Sequence, residues 1–151
     1  MIQYPEHFDL SEFIVSSTAR QKSLQNEPTW KIVEHLLELC TFLEDIRAGW
    51  AKLYPKNPGI TITSGYRCPA LNTAVGGVSN SDHQWGNACD MVPANGKFDE
   101  FVNFLKKFLP VYEKGWNQCI IESKGRSKWV HFSSYGRTGG QKRQLFEMTV
   151  K

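Results

Sequence analysis

Two histidines and an aspartate stand out in a chain of 151 residues that has only four histidines. His83 lies in the polar run Ser81-Asp82-His83-Gln84-Trp85-Gly86, Asp90 follows it, and His131 sits between Val130 and Phe132. Imidazole and carboxylate suit a hydrolytic zinc ion, which takes three protein donors and keeps a fourth position open. A loop histidine and a carboxylate on the next strand can converge on one ion, with Gly86 giving the chain freedom to turn between them. A histidine in mid-strand adds a third donor from a rigid element. Residue types alone leave a second reading of His83 open, as an exposed loop residue. His7, near the start, and His35, in a helical pattern, read as structural.

These side chains need elements to carry them. Apolar residues at Ile32, Val33, Leu36, Leu37, Cys40, Leu43, Ile46, Trp50 and Leu53 recur in steps of three and four, which predicts a long helix with one buried stripe. Pro28 sits near its first turn and Pro55, Pro58 and Gly59 end the segment. Phe98, Phe101, Val102, Leu105 and Phe108 mark a second amphipathic helix, closed by Pro110. Asp9 to Phe13 reads as a capped helix start, Ser16 to Asn26 as a polar stretch, and Pro69 to Val75 as a short helix. Strands are expected at Ile60–Thr63, Ala88–Val92, Gln118–Glu122 and Trp129–Ser133, with a last one over 143–149. The sum is an α+β domain over residues 1–151, with helices packed on a small, mainly antiparallel sheet.

Composition limits the function. Hydrophobic residues make up 40% and charged residues 22%, enough for a core without cross-links. Cys40, Cys68, Cys89 and Cys119 form no C-x-x-C pair and read as free thiols, with two disulfides as the alternative. Alternation aims Cys89 away from Asp90, into the core. The net charge of +3 comes from scattered Lys and Arg, with no basic stripe, so no nucleic-acid partner is expected. No apolar run approaches the ~20 residues of a membrane helix, and Met1 to His7 carries no signal-peptide pattern. The expectation is a monomer made in the cytoplasm.

Larger blocks carry a resemblance. Ser81-x-His83-x-x-Gly86-x-Ala88-x-Asp90, preceded by Thr63-Ser64-Gly65-Tyr66-Arg67 and followed by Trp129-Val130-His131, resembles the zinc D-alanyl-D-alanine carboxypeptidases and L-alanyl-D-glutamate endopeptidases, the M-fifteen peptidases. Phe8 to Glu12 and Pro69 to Gly77 resemble its compact single-domain phage and bacterial branch. The resemblance implies Zn2+ as cofactor, with His83, Asp90 and His131 as ligands. It implies Arg67 as the group that steadies charge on the scissile carbonyl and Ser81 as a residue at the substrate end of the pocket. The implied reaction is hydrolysis of peptidoglycan stem peptides by zinc-activated water. The substrate would then be a cell-wall peptide, and a phage lysis system the route of release.

The match is incomplete where many relatives carry a catalytic acid. Three residues before the last ligand stands Lys128, and two before it stands Trp129, neither of which can act as base. Glu122 is the best remaining candidate. A hairpin turning through Gly125 to Lys128 would set Glu122 directly opposite His131, on the same sheet face; the alternative is a surface charge at a strand end. Asp82 flanks a ligand and is the poorer choice. Tyr66, Trp85 and Trp129 are expected beside the site, either shaping a pocket for a peptide end or packing. Two functions stay open: a zinc metallopeptidase, carboxypeptidase or endopeptidase, and an inactive zinc-containing binding or assembly module of the same fold.

Overall fold

A computed structural model describes residues 3–151; Met1 and Ile2, the first residues of the start that reads as lacking a signal, lie outside them. The described residues form helices α1 (Ser17–Gln21), α2 (Trp30–Leu53), α3 (Pro69–Ala74) and α4 (Phe98–Phe108) and strands β1 (Ile60–Ser64), β2 (Ala88–Pro93), β3 (Gln118–Lys124), β4 (Ser127–Ser133) and β5 (Gln144–Thr149). Short 3-10 turns occupy Leu10–Phe13, Asp82–Trp85 and Leu109–Val111.

The long helical stripe folds as its spacing predicts, with Thr29 rather than Pro28 at the cap, where its hydroxyl accepts from the Ile32 N–H. Leu36, Leu37, Cys40, Leu43, Ile46 and Trp50 are buried, joined by Leu39 and Phe42; Leu53, at the last position, is exposed. Each fully buried large side chain contributes about 1.5–3 kcal/mol by leaving water. Trp50 seals the contact with α4 by meeting the Phe101 ring edge-on at 5.1 Å. The polar stretch after Ser16 holds a helix that periodicity did not reveal: five residues of α1, capped by the Ser16 hydroxyl on the Ala19 N–H.

The sheet has the order β1-β2-β4-β3-β5. The first four strands pair antiparallel, and β5 runs parallel to β3. Period-two alternation gives the sheet two different faces. Cys89, Met91, Cys119, Val130 and Phe132 point into one core with α2 and α4. Asp90, His131, Trp129, Ile120 and Glu122 alternate with them and face the other way, into a cavity of about 600 Å³. The architecture is the α+β arrangement of helices on a mainly antiparallel sheet. All four cysteines are free thiols, three of them buried and Cys68 half-buried at the cap of α3. Among the described residues no helix is long and apolar enough to cross a membrane.

Candidate metal centre

Register places two of the three candidate ligands side by side. Asp90 on β2 is the direct antiparallel partner of His131 on β4, so both side chains leave the same face at adjacent positions. The third comes from the turn before β2. Ser81 caps that turn with its hydroxyl on the His83 N–H, and Gly86 ends it at φ 76°, a left-handed conformation that suits glycine. His83 is thereby aimed back at the sheet.

The result is a near-equilateral triangle of donor atoms. His83 Nε2 and His131 Nδ1 are 3.2 Å apart, His131 Nδ1 and Asp90 Oδ1 are 3.2 Å apart, and His83 Nε2 and Asp90 Oδ1 are 3.3 Å apart. Ligands about 2.0–2.1 Å from a tetrahedral ion stand about 3.3–3.4 Å from one another, so the three atoms fit one ion with little movement. All three residues are buried.

Their orientation is set by neighbours. His83 Nδ1 lies 2.8 Å from the Gly65 carbonyl, which can only accept, so Nδ1 carries the proton and Nε2 is left as a lone pair. Glycine is required at position 65: a Cβ there would stand 2.4 Å from the Phe13 carbonyl oxygen. Asp90 Oδ2 accepts from an Arg67 terminal nitrogen at 3.3 Å. The same guanidinium donates to Ser64 Oγ and to Asn72 Oδ1, both at 3.2 Å. Three of its five N–H groups are thus committed to holding the site, and two remain for a ligand.

Electrostatics follow the geometry. Burial would raise the Asp90 pKa, but the charges and hydrogen bonds of His83 and His131 hold its carboxyl well below the usual range. Burial lowers His83. Burial also pulls His131 down, yet its hydrogen bond to Asp90 and the charges of Asp90, Glu122 and Asp82 outweigh this and raise it. The triad is therefore a carboxylate facing two imidazoles, the donor set for a divalent cation.

The position of Glu122 requires a correction. Its partner across the hairpin is Trp129, and Ile120 faces His131. The loop is two residues, Gly125-Arg126, where four were expected; Gly125 takes φ 61° at the first central position, as a tight hairpin favours. A shift of two residues keeps the same face. Glu122 therefore still looks toward the triad, diagonally, with Oε1 3.9 Å from His131 Nδ1. Its side chain is only 13% exposed, and burial raises its pKa above the usual carboxylate value. Lys128 occupies the alternate face and does not line this cavity.

Of the other expected residues, Ser81 and Trp129 line the cavity, and Trp129 stands directly across the strand pair from Glu122. Tyr66 and Trp85 do not line it. Tyr66 is buried, its N–H donating to the Phe13 carbonyl where Gly65 passes close, and it borders a separate cavity along β1. Trp85 ends the 3-10 turn with its ring exposed, its carbonyl accepting from His35 Nδ1 at 2.7 Å. Proximity in sequence to the ligands does not by itself bring a side chain to the cavity, because the turn sends successive side chains in different directions: Asp82 lines it and Trp85 does not.

Asp82, the poorer candidate for the base, and Asn117, which no motif marks, also belong to the cavity. Asp82 lines the cavity, and burial raises its pKa against the pull of His131, His83, the Asn117 amide and the backbone N–H of Arg137. Asn117 is buried just before β3 and donates to Asp82 Oδ2 at 3.3 Å. Neither residue belongs to a periodic pattern, so no local signal marks them.

Three buried donors converging under an open cavity form a cluster that can hold a metal ion on an α+β scaffold. Residues 6–133 match the family model described as Peptidase M15, and the chain belongs to that family. M15 peptidases depend on metal, and the His83–Asp90–His131 cluster is a site that can hold one, so the protein is a metallopeptidase in general class. No curated protein matches the chain.

Proposed function

We propose that the protein is a zinc peptidase that hydrolyses peptide bonds in peptidoglycan stem peptides, as a D-Ala-D-Ala carboxypeptidase or an L-Ala-D-Glu type endopeptidase. The observation that carries this reading is the donor triangle with a half-buried carboxylate, Glu122, beside it on the same sheet face. His83, Asp90 and His131 are the residues that hold the ion. A divalent ion there supplies Lewis acidity and makes hydroxide available near neutral pH. Glu122 takes the proton from the attacking water and returns it to the departing amine, a role that its raised pKa suits. Arg67 has two N–H groups left to stabilise negative charge on the carbonyl oxygen. Trp129 borders the Glu122 side of the cavity and Ser81 the turn side. A cavity of about 600 Å³ is the size of ordinary small-ligand sites and takes a short peptide end. The inactive module of the same fold was favoured by Lys128; the presence of Glu122 on the cavity face favours catalysis instead.

The test is mass spectrometry of peptidoglycan fragments incubated with zinc-loaded protein, beside a His83→Ala control. Loss of a terminal D-alanine that depends on His83 identifies a carboxypeptidase. A cut within the stem that depends on His83 identifies an endopeptidase. No product from several wall types sinks the peptidase reading in favour of the inactive module.

A further inference from the structure

The family match ends at residue 133, yet a large part of the cavity wall comes from later residues, including Gly136, Arg137, Lys142 and Met148. This wall is built and not draped. Between Ser134 and β5 the chain folds back on itself, with the Gly136 N–H donating to the Gly140 carbonyl at 2.7 Å. Gln141 Nε2 donates to the Gly115 and Ser134 carbonyls. Arg143 donates to the carbonyls of Leu109, Pro110, Tyr112 and Lys114, at 3.0 to 3.4 Å. Asn117 joins this loop to the metal centre: its amide nitrogen holds Asp82, beside His83, while its Oδ1 accepts from the Lys142 N–H at 3.1 Å. The loop backbone is thereby registered against the ligands.

The side chains on that backbone are unpaired cations. Among the described residues Arg137 and Lys142 make no ion pair, and neither does Lys124 at the end of β3, which lines the same cavity. The acids of the cavity are already engaged: Asp90 with Arg67 and the imidazoles, Asp82 with Asn117, and Glu122 beside His131. The three free cations have no internal partner to neutralise them, and a divalent ion makes the cavity more positive still. The acids Asp82, Asp90 and Glu122 sit with the imidazoles on one side of the cavity, and unpaired cations on the other side attract an incoming ligand of opposite sign.

We propose that Arg137 and Lys142, assisted by Lys124, form a carboxylate-binding wall that selects anionic peptides for this site. The ligand class is a peptide carboxylate, which can be the C-terminal α-carboxylate or the free carboxyl of an internal acidic residue. The proposal rests on the peptidase reading for its setting, and it concerns selection and not the chemical step.

The test uses three synthetic stem peptides: one with a free C-terminal carboxylate, the same peptide as its C-terminal amide, and one with its D-glutamate replaced by the amide form. Cleavage by the zinc-loaded protein and equilibrium binding to the Glu122→Gln protein are measured for each, with and without the paired changes Arg137→Ala and Lys142→Ala. One charge-assisted contact corresponds to about tenfold or more in affinity. The expected result is that wild-type kcat/KM and affinity fall by at least this factor for one neutralised peptide, and that the ratio collapses toward one in the double variant. A fall with the terminal amide identifies the terminal carboxylate as the ligand; a fall with the D-glutamate amide identifies the internal one. Equal affinities for all three peptides overturn the proposal. If no peptide is cleaved but binding keeps its charge dependence, the peptidase reading fails and the carboxylate site stands.

Discussion

The cavity has two walls built on opposite terms. On the strand side, β2 and β4 present buried side chains whose polar atoms converge within hydrogen-bond distance: Asp90 meets His83, His131 and Arg67 in one cluster, with Glu122 of β3 3.9 Å from His131. On the loop side the backbone is tied down by Asn117, Gln141 and Arg143, while Arg137 and Lys142 are exposed where they line the cavity. The strand wall fixes atoms to fractions of an ångström, which an ion and a reacting bond need. The loop wall fixes only where charge is delivered, and leaves long side chains free to adapt to different peptides. The first wall lies within the family match and the second lies beyond it. The proposed chemistry and the proposed selection, Lys124 apart, thus fall on separate stretches of chain.

The largest expected effect tests the strand wall. Glu122→Gln should lower kcat about 10²–10⁴-fold, as removal of a general base does, with metal content unchanged and with charged and neutral peptides affected alike. Full activity in that variant would break the assignment. The pH profile sharpens it. Burial raises the Glu122 pKa, and the ionised form is the base, so activity must appear as pH rises through that value. The acid limb of kcat/KM should therefore be missing from the residual activity of Glu122→Gln; a limb that persists unchanged in that variant removes Glu122 from the role.

Arg67→Lys comes next. Lysine keeps the charge but cannot hold Ser64, Asn72 and Asp90 in one planar fork. Metal affinity should weaken about 10–100-fold, read by competition with a chelator, as loss of a ligand's supporting partner does. The smallest effect belongs to the loop wall. Arg143→Ala removes four bonds to carbonyls without touching the cavity, so hydrogen-exchange protection at residues 136–142 should fall about tenfold while metal affinity holds. Loss of metal in that variant would mean that the two walls are not separable.

Much of this was legible in the residues, and the remainder was not for physical reasons. The stripe of α2, the amphipathic α4 and the β-branched strands announce themselves because burial imposes a period, and the family resemblance supplied the donor set. The register of the β3–β4 hairpin was misjudged by two residues because the choice between a two- and a four-residue loop rests on one glycine. The parallel pairing of β5 with β3 depends on contacts far apart in sequence, so no local pattern carries it. Tyr66 and Trp85 were placed by adjacency to ligands, which a bulged strand end and a tight turn do not preserve. Arg137 and Lys142 acquire meaning only through Asn117, a residue some twenty positions away.

One feature of the core bears on how the protein acquires its metal. Cys89 adjoins Asp90 in sequence, and it shares one core cluster with Cys40 and Cys119. A cluster of thiols one residue from the ligand set would ordinarily compete for a soft divalent ion. Here burial pushes Cys40 and Cys119 up to about 12 and Cys89 well above its usual value, so the sulfurs stay protonated. Metals bind thiolates and not thiols. In the folded chain these three sulfurs lie in the core on the face of the sheet opposite His131 and Asp90, so the packing that holds the sheet to its helices also keeps them apart from the cluster that can hold an ion.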